Sequence, residues 1–224
     1  VGRSIAPGTS VQPIPNGVET EIFFRGGASL PATDRRRIIV PRRLYKKNGV
    51  SFFVRAMPMI VEQVDAEAVV VGDGPERQKL EALAESLGMK KRIQFLGSRS
   101  HTEMPGLLSS AELAVFPSLM EATSVAALES MACELPVAAT RIGGLPEIIN
   151  EDVGTLFQPG NPTALANAVI GLLTRSDLRV MGSKARSRVI KRWSNTRLVD
   201  RHLAVYESIR EKKYGPGIAA PAGE

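Results

Sequence analysis

The run Ala68-Val69-Val70-Val71, followed by Gly72-Asp73-Gly74-Pro75, leads into a segment with leucines at 80, 83 and 87. Four consecutive apolar residues suit a strand buried on both faces, as parallel sheets require. The leucine spacing of three and four gives a helix over Pro75 to Leu87, with Pro75 in its first turn and Gly88 as its stop. A strand joined by a glycine turn to a helix is the repeating unit of an α/β fold. The turn begins like a dinucleotide fingerprint, but Arg77 stands at the third glycine position and no Gly-Lys-Ser/Thr follows. Gly72 therefore suits either a tight turn or close approach of backbone to a ligand.

The same alternation extends in both directions. Short apolar strands are expected at Ile38 to Val40, Ile93 to Leu96, Leu113 to Phe116, Pro136 to Ala139 and Thr155 to Phe157. Helices are expected at Val50 to Val64, Pro105 to Ser109, Ser124 to Cys133, Pro162 to Thr174, Asp177 to Arg192 and Thr196 to Lys212. Pro58 is expected to kink or break the first of these. The pattern predicts a Rossmann-like, doubly wound parallel sheet. Residues 1–30, rich in Gly, Pro, Ser and Thr, read as a linker and domain entry, with Pro15-Asn16-Gly17 a turn signal. Residues 31–194 read as the Rossmann-like domain, 195–214 as a C-terminal helix and 215–224 as a flexible tail. The lack of an initiating Met fits a chain that starts within a longer protein.

Composition narrows the function classes. The 224 residues are 43% hydrophobic and 23% charged, which excludes wholesale disorder. No apolar run approaches the roughly 18 residues of a membrane span. A single cysteine, Cys133, fits a reducing compartment, so a cytoplasmic setting is expected. The net charge is +6, and Arg35, Arg36, Arg37, Arg42, Arg43, Lys46 and Lys47 fall within thirteen residues. With only 5% aromatics, a base-stacking platform is not expected, and neither is a nucleic-acid partner. The cluster suits a solvated loop, a phosphate site or peripheral contact with the anionic inner face of a membrane.

Doubly wound sheets bind ligands beyond the carboxyl ends of their strands, so five loops matter. After Val40, Arg42, Arg43, Lys46 and Lys47 offer forks and point charges, and two such cations at the mouth of the sheet would neutralise a diphosphate. After Leu96, the loop through Arg99 and His101 is a polar turn. After Phe116, Pro117-Ser118-Leu119-Met120-Glu121-Ala122-Thr123 enters the helix at Ser124. There the amides of Thr123, Ser124 and Val125 would form an anion site flanked by Glu121 and Glu129. Glu129 lies about 7–8 Å along the axis from the helix start. Two carboxylates around an anion hole suit a sugar-diphosphate-ribose. Capping by Glu121 or Ser124 and a solvated Glu129 would explain the same residues. After Ala139, Gly143-Gly144 allows close approach to a ligand or to a neighbouring loop, or a plain turn.

Five segments together resemble one family. They are Pro15 to Glu19; Arg43-Leu44 with Lys47-Asn48-Gly49; Val71 to Pro75; Glu121 with Glu129 to Val137; and Gly143 to Glu147. Their order, and the seven residues between Glu121 and Glu129, are similar to those of family-4 retaining glycosyltransferases. The resemblance implies one half of a GT-B architecture, the C-terminal donor-binding domain, with the N-terminal acceptor domain missing. It implies hexosyl transfer from a nucleotide-diphosphate sugar with retained configuration, and donor binding without meaningful transfer by this chain alone. Arg43 and Lys47 would neutralise the diphosphate, Glu121 would hold the sugar and Glu129 the ribose. Backbone from Phe95 to Arg99 would receive the base. Ala122 and Ser124 stand where the family usually has glycine. No cofactor or metal is expected, since there is no Asp-x-Asp motif and His101 and His202 read as isolated surface residues. The alternative is a non-catalytic nucleotide-sugar-binding module.

Overall fold

The computed structural model describes residues 14–215, and its centre is a six-stranded sheet in the order β3-β2-β1-β4-β5-β6. The strands are β1 (Arg36–Pro41), β2 (Ala66–Val71), β3 (Ile93–Gly97), β4 (Leu113–Phe116), β5 (Val137–Thr140) and β6 (Gly154–Phe157). Every pairing between them is parallel. This is the Rossmann-like strand order, in which the direction of winding reverses between β1 and β4. The crevice beyond the carboxyl ends of those two strands is where such a fold accepts a ligand.

Two cores lie on opposite faces, and alternation along each strand assigns residues to them. Ile38, Val40, Ala68 and Val70 face one core, which is closed by α1 (Val50–Gln63), α2 (Arg77–Ser86) and α6 (Pro162–Leu173). Ile39, Val69 and Val71 face the other, closed by α3 (Met104–Ser109), α4 (Val125–Ala132) and α5 (Leu145–Ile148). The next helix, α7 (Leu178–Trp193), contributes Leu178 and Met181 to the first core and Ala185, Val189 and Trp193 to the second. Each fully buried aliphatic or aromatic side chain contributes about 1.5–3 kcal/mol. Two residues of the incoming segment, Val18 and Phe23, are also buried in the second core. Val18 is stitched by backbone bonds to Trp193 and Asn195 at the start of α8 (Asn195–Tyr214).

Pro58 neither ends nor interrupts α1, contrary to the break that its ring suggests. Phe53, Val54, Ala56 and Met57 before it and Ile60 after it are all buried against the sheet. Their burial outweighs the roughly 3 kcal/mol that an interior proline costs. Two short pieces carry no clear sequence signal: α5, and a 3₁₀ turn at Lys46–Asn48. The turn ends on Gly49 at φ 65°, where a Cβ would lie 1.9 Å from the Pro117 carbonyl oxygen. Residues 1–13 and 216–224 of the expected linker and tail lie outside the described residues. Among the described residues no helix is long and apolar enough to cross a membrane. Burial pushes the Cys133 thiol up to about 12, so it behaves as a core group.

Candidate functional site

The β1 and β4 loops meet across the switch point because backbone groups zip them together. Leu119 N–H donates to the Lys47 carbonyl at 2.8 Å. The β2 loop joins on the far side, where Leu44 N–H donates to the Asp73 carbonyl and Glu76 N–H to the Leu44 carbonyl. Gly72 and Gly74 are required for this approach. A Cβ on Gly72 would lie 2.2 Å from the Arg42 carbonyl oxygen, and one on Gly74 2.5 Å from that of Leu44. The missing side chain of Gly72 therefore accommodates a neighbouring loop.

Gly143 and Gly144 make the corresponding approach from the β5 side. Gly143 has φ 55° and leaves its Cβ position to the Glu121 carbonyl, while Gly144 N–H donates to the Ala122 carbonyl at 2.9 Å. Of the readings open for this pair, contact with the neighbouring loop is the one observed. Glu121 is thus fixed from one side by glycines and from the other by Arg42. Arg42 Nη2 lies 2.8 Å from Glu121 Oε2, with side chains only 11% and 12% exposed. The contact is in ion-pair range but not aligned as a hydrogen bond, and Glu121 Oε2 has no hydrogen-bond partner among the described residues. Nη2 donates instead to Asn48 Oδ1 at 2.9 Å, and Asn48 Nδ2 to the Arg43 carbonyl at 2.7 Å.

Arg43 and Lys47 are exposed at the same mouth. With Arg42, Tyr45 and Asn48 they line a cleft of about 370 Å³ that reaches Ala126 in the first turn of α4. The structure therefore brings the expected cations to the start of the expected anion helix. Ser124 is the N-cap residue of α4: its buried hydroxyl accepts from Ala127 N–H at 3.3 Å. Thr123 is exposed and Val125 half-buried. The capping reading and the open amides of the first turn coexist here.

Glu129 lies one turn further along α4 with its side chain 15% exposed. Burial pushes its carboxyl up, and His101, 3.4 Å away through Nε2, pulls it back. His101 is thus not isolated as its sequence setting suggested. The loop after β3 carries it onto α4, where its ring edge meets Phe23 at 4.8 Å between centroids. Arg99, in the same loop, is exposed and lies 3.6 Å from Glu103. In the stretch expected near a base, the Phe95 and Gly97 carbonyls already accept from Arg77 and Gly72 N–H.

Arg42, Asn48 and His101 are the site residues that sequence reasoning passed over. Neighbouring residues of an extended chain face opposite ways, which could have separated Arg42 from Arg43. Contact between His101 and Glu129 spans two loops and has no local signal.

The comparisons with known proteins converge on one family. Residues 27–189 match the model described as Glycosyl transferases group 1. The N-acetyl-alpha-D-glucosaminyl L-malate synthase of Bacillus anthracis is 30% identical over 94% of this chain and 57% of its own length. Sucrose-phosphate synthase from Thermosynechococcus elongatus superposes with a TM-score of 0.80 at 27% identity, covering 89% of this chain and 52% of that one. The C-terminal domain of a glycosyl transferase group 1 family protein from Francisella tularensis gives 0.69 at 27% identity, over 80% of this chain and 99% of that one. The chain spans about half the length of the first curated relatives it matches. In fold it is one half of a GT-B architecture, and by its family model it belongs to the group 1 glycosyltransferases.

Proposed function

We propose that this domain binds the nucleotide-diphosphate sugar donor of a retaining glycosyltransferase. The observation that carries the reading is the meeting of Arg43 and Lys47 with the α4 amino end across the sheet's switch point. In transfer, the bond from the sugar's anomeric carbon to the diphosphate oxygen breaks and one to an acceptor oxygen forms. Negative charge grows on the departing diphosphate, and fixed cations stabilise it there. Arg43 and Lys47 supply that charge, the amides of Thr123, Ser124 and Val125 meet phosphate oxygens, Glu121 holds sugar hydroxyls and Glu129 the ribose. Arg99 and the Gly72 turn border the base and the diphosphate. The chemistry asks for no metal or cofactor.

The acceptor enters from a second domain, supplied by the half of the relatives' length that this chain does not span. One face of α8 offers Val199, Leu203, Tyr206 and Ile209, each more than half exposed. Their spacing of four, three and three forms an apolar stripe that such a domain would cover. The chain alone therefore binds donor without transferring it.

Calorimetric titration with UDP and GDP, with Glu129→Ala as control, tests the reading. Binding of one nucleotide that the variant loses is the expected outcome. Failure of both to bind this chain and the longer protein would overturn it.

A further inference from the structure

Arg42 lies deeper than the cations beside it. Its guanidinium carbon lies 5.8 Å from the centre of the Phe116 ring at the end of β4, and Nη2 donates to Asn48. Two polar atoms of the Arg42–Glu121 pair are buried without a hydrogen-bond partner among the described residues: Arg42 Nε and Glu121 Oε2. They are of opposite type. Nε–H needs an acceptor and Oε2 needs a donor, and leaving either unmet in the interior is costly. A hydroxyl group is both at once.

We propose that Arg42 is a specificity-determining residue of the sugar subsite, and that with Glu121 it takes one hydroxyl of the transferred sugar. Both unpaired atoms are closed to solvent, so the two side chains must part to admit the hydroxyl, whose oxygen then accepts from Arg42 Nε–H and whose proton is donated to Glu121 Oε2. This rests on the reading of Glu121 as the residue that holds the sugar. The two neighbouring arginines then divide the donor between them: exposed Arg43 meets the diphosphate and half-buried Arg42 the sugar. Lysine could not replace Arg42, because only a guanidinium can bond Asn48 with one nitrogen, face Glu121, and present a further N–H. A donor lacking that hydroxyl would leave both buried atoms unpaired, which polar sites reject strongly.

The test is the affinity of a sugar nucleotide relative to its own nucleoside diphosphate, measured by calorimetry on the full chain. The pairs are UDP-glucose with UDP and GDP-mannose with GDP. In the unmodified chain one sugar nucleotide should bind about tenfold tighter than its diphosphate. Arg42→Lys and Glu121→Gln should each bring that ratio to near one, weakening the sugar nucleotide about tenfold more than the diphosphate. Arg42→Gln is read in the same way, so a folding defect in one variant leaves the other to decide.

If Glu121→Gln collapses the ratio and the Arg42 variants keep it, the assignment of Arg42 is overturned. Equal weakening of both ligands by the Arg42 variants would make Arg42 a structural brace and overturn it too. If Glu121→Gln leaves the ratio intact, the sugar-holding role of Glu121 falls first, and the inference falls with it. No preference for either sugar nucleotide in the unmodified chain has the same consequence.

Discussion

The two ends of β1 carry the same kind of residue and treat it in opposite ways. At the amino end, Arg37 Nε bonds Glu67 at 2.7 Å, and its other nitrogens reach the Ser110 and Pro31 carbonyls. Arg35 and Arg92 bracket Asp65, and Arg36 lies 2.9 Å from Glu112. At the carboxyl end, Arg43, Lys46 and Lys47 are exposed and make no ion pair among the described residues, while Arg42 and Glu121 keep buried polar atoms unmet. Of the four buried side-chain atoms without partners in the described residues, three are at this end: Arg42 Nε, Ser118 Oγ and Glu121 Oε2. The thirteen-residue basic run is therefore two groups, separated by a strand of about 20 Å. That exceeds the Debye length of about 8–10 Å at ordinary ionic strength, so the exposed charges of the two ends are screened from each other. One end neutralises its charges for stability, and the other holds charge ready for a ligand.

Arg37→Met is the harshest way to break this comparison. It would leave Glu67, with its side chain 20% exposed, beside an apolar stem and with only the long 3.8 Å contact to Arg35 among the described residues. Breaking one partner of such a pair costs about 3 kcal/mol, measured as a loss of unfolding free energy in urea. Nucleotide affinity of the folded fraction should not change. If it fell along with stability, the two ends would be coupled and the division would fail.

A second substitution works at the other end. Gly143→Ala would place a methyl where the Glu121 carbonyl lies 1.7 Å away, at a φ of 55°. Gly88→Ala meets the same backbone penalty at φ 71° with nothing within 4 Å, and so serves as its control. The left-handed conformation costs each about 1–2 kcal/mol. Gly143→Ala should cost about 1–2 kcal/mol more by urea unfolding, and it should also weaken sugar-nucleotide binding by moving Glu121. Equal losses for the two variants would mean that the glycine contact does not set the Glu121 loop.

Most strands and helices are legible in the sequence because each carries its own local pattern, as Ala68 to Val71 and the leucines after it do. The helix start at Ser124 and the stop at Gly88 follow from capping chemistry in the same way. What local pattern cannot show is which loops share space. Gly143 reads equally as a turn or as a ligand contact until β5 is placed beside β4. His101 reads as isolated until the β3 loop folds over α4. Arg42 and Arg43 are alike in composition, and alternation along the strand hints at the difference that the half-burial of one and the exposure of the other make plain. Pro58 shows the converse: a clear local signal is overruled by the apolar face on which the helix lies.

Glu129 supplies the mildest and most specific test, because it is the carboxyl-end counterpart of Arg37. Arg37 is buried with its donors satisfied, whereas Glu129, its side chain 15% exposed, has the His101 ring 3.4 Å away. Burial raises its carboxyl above the ordinary 4.5, and His101 offsets part of the rise. Between 4.5 and the raised value, the folded chain therefore holds a proton that the unfolded chain has released. By linkage, stability then falls as pH rises through that window and stays lower above it. Glu129→Gln removes the titration, so its stability relative to the unmodified chain should improve as pH is raised from about 4.5 to 7. The measurement is the urea midpoint of both proteins across that range, and a difference that does not vary with pH would refute it. A nucleotide whose ribose hydroxyls donate to the carboxylate favours its ionised form and pulls the group back down. Nucleotide binding should consequently strengthen with rising pH over the same window, and Glu129→Gln should abolish that slope. The carboxylate that weakens the empty fold would then be the one that rewards the ligand.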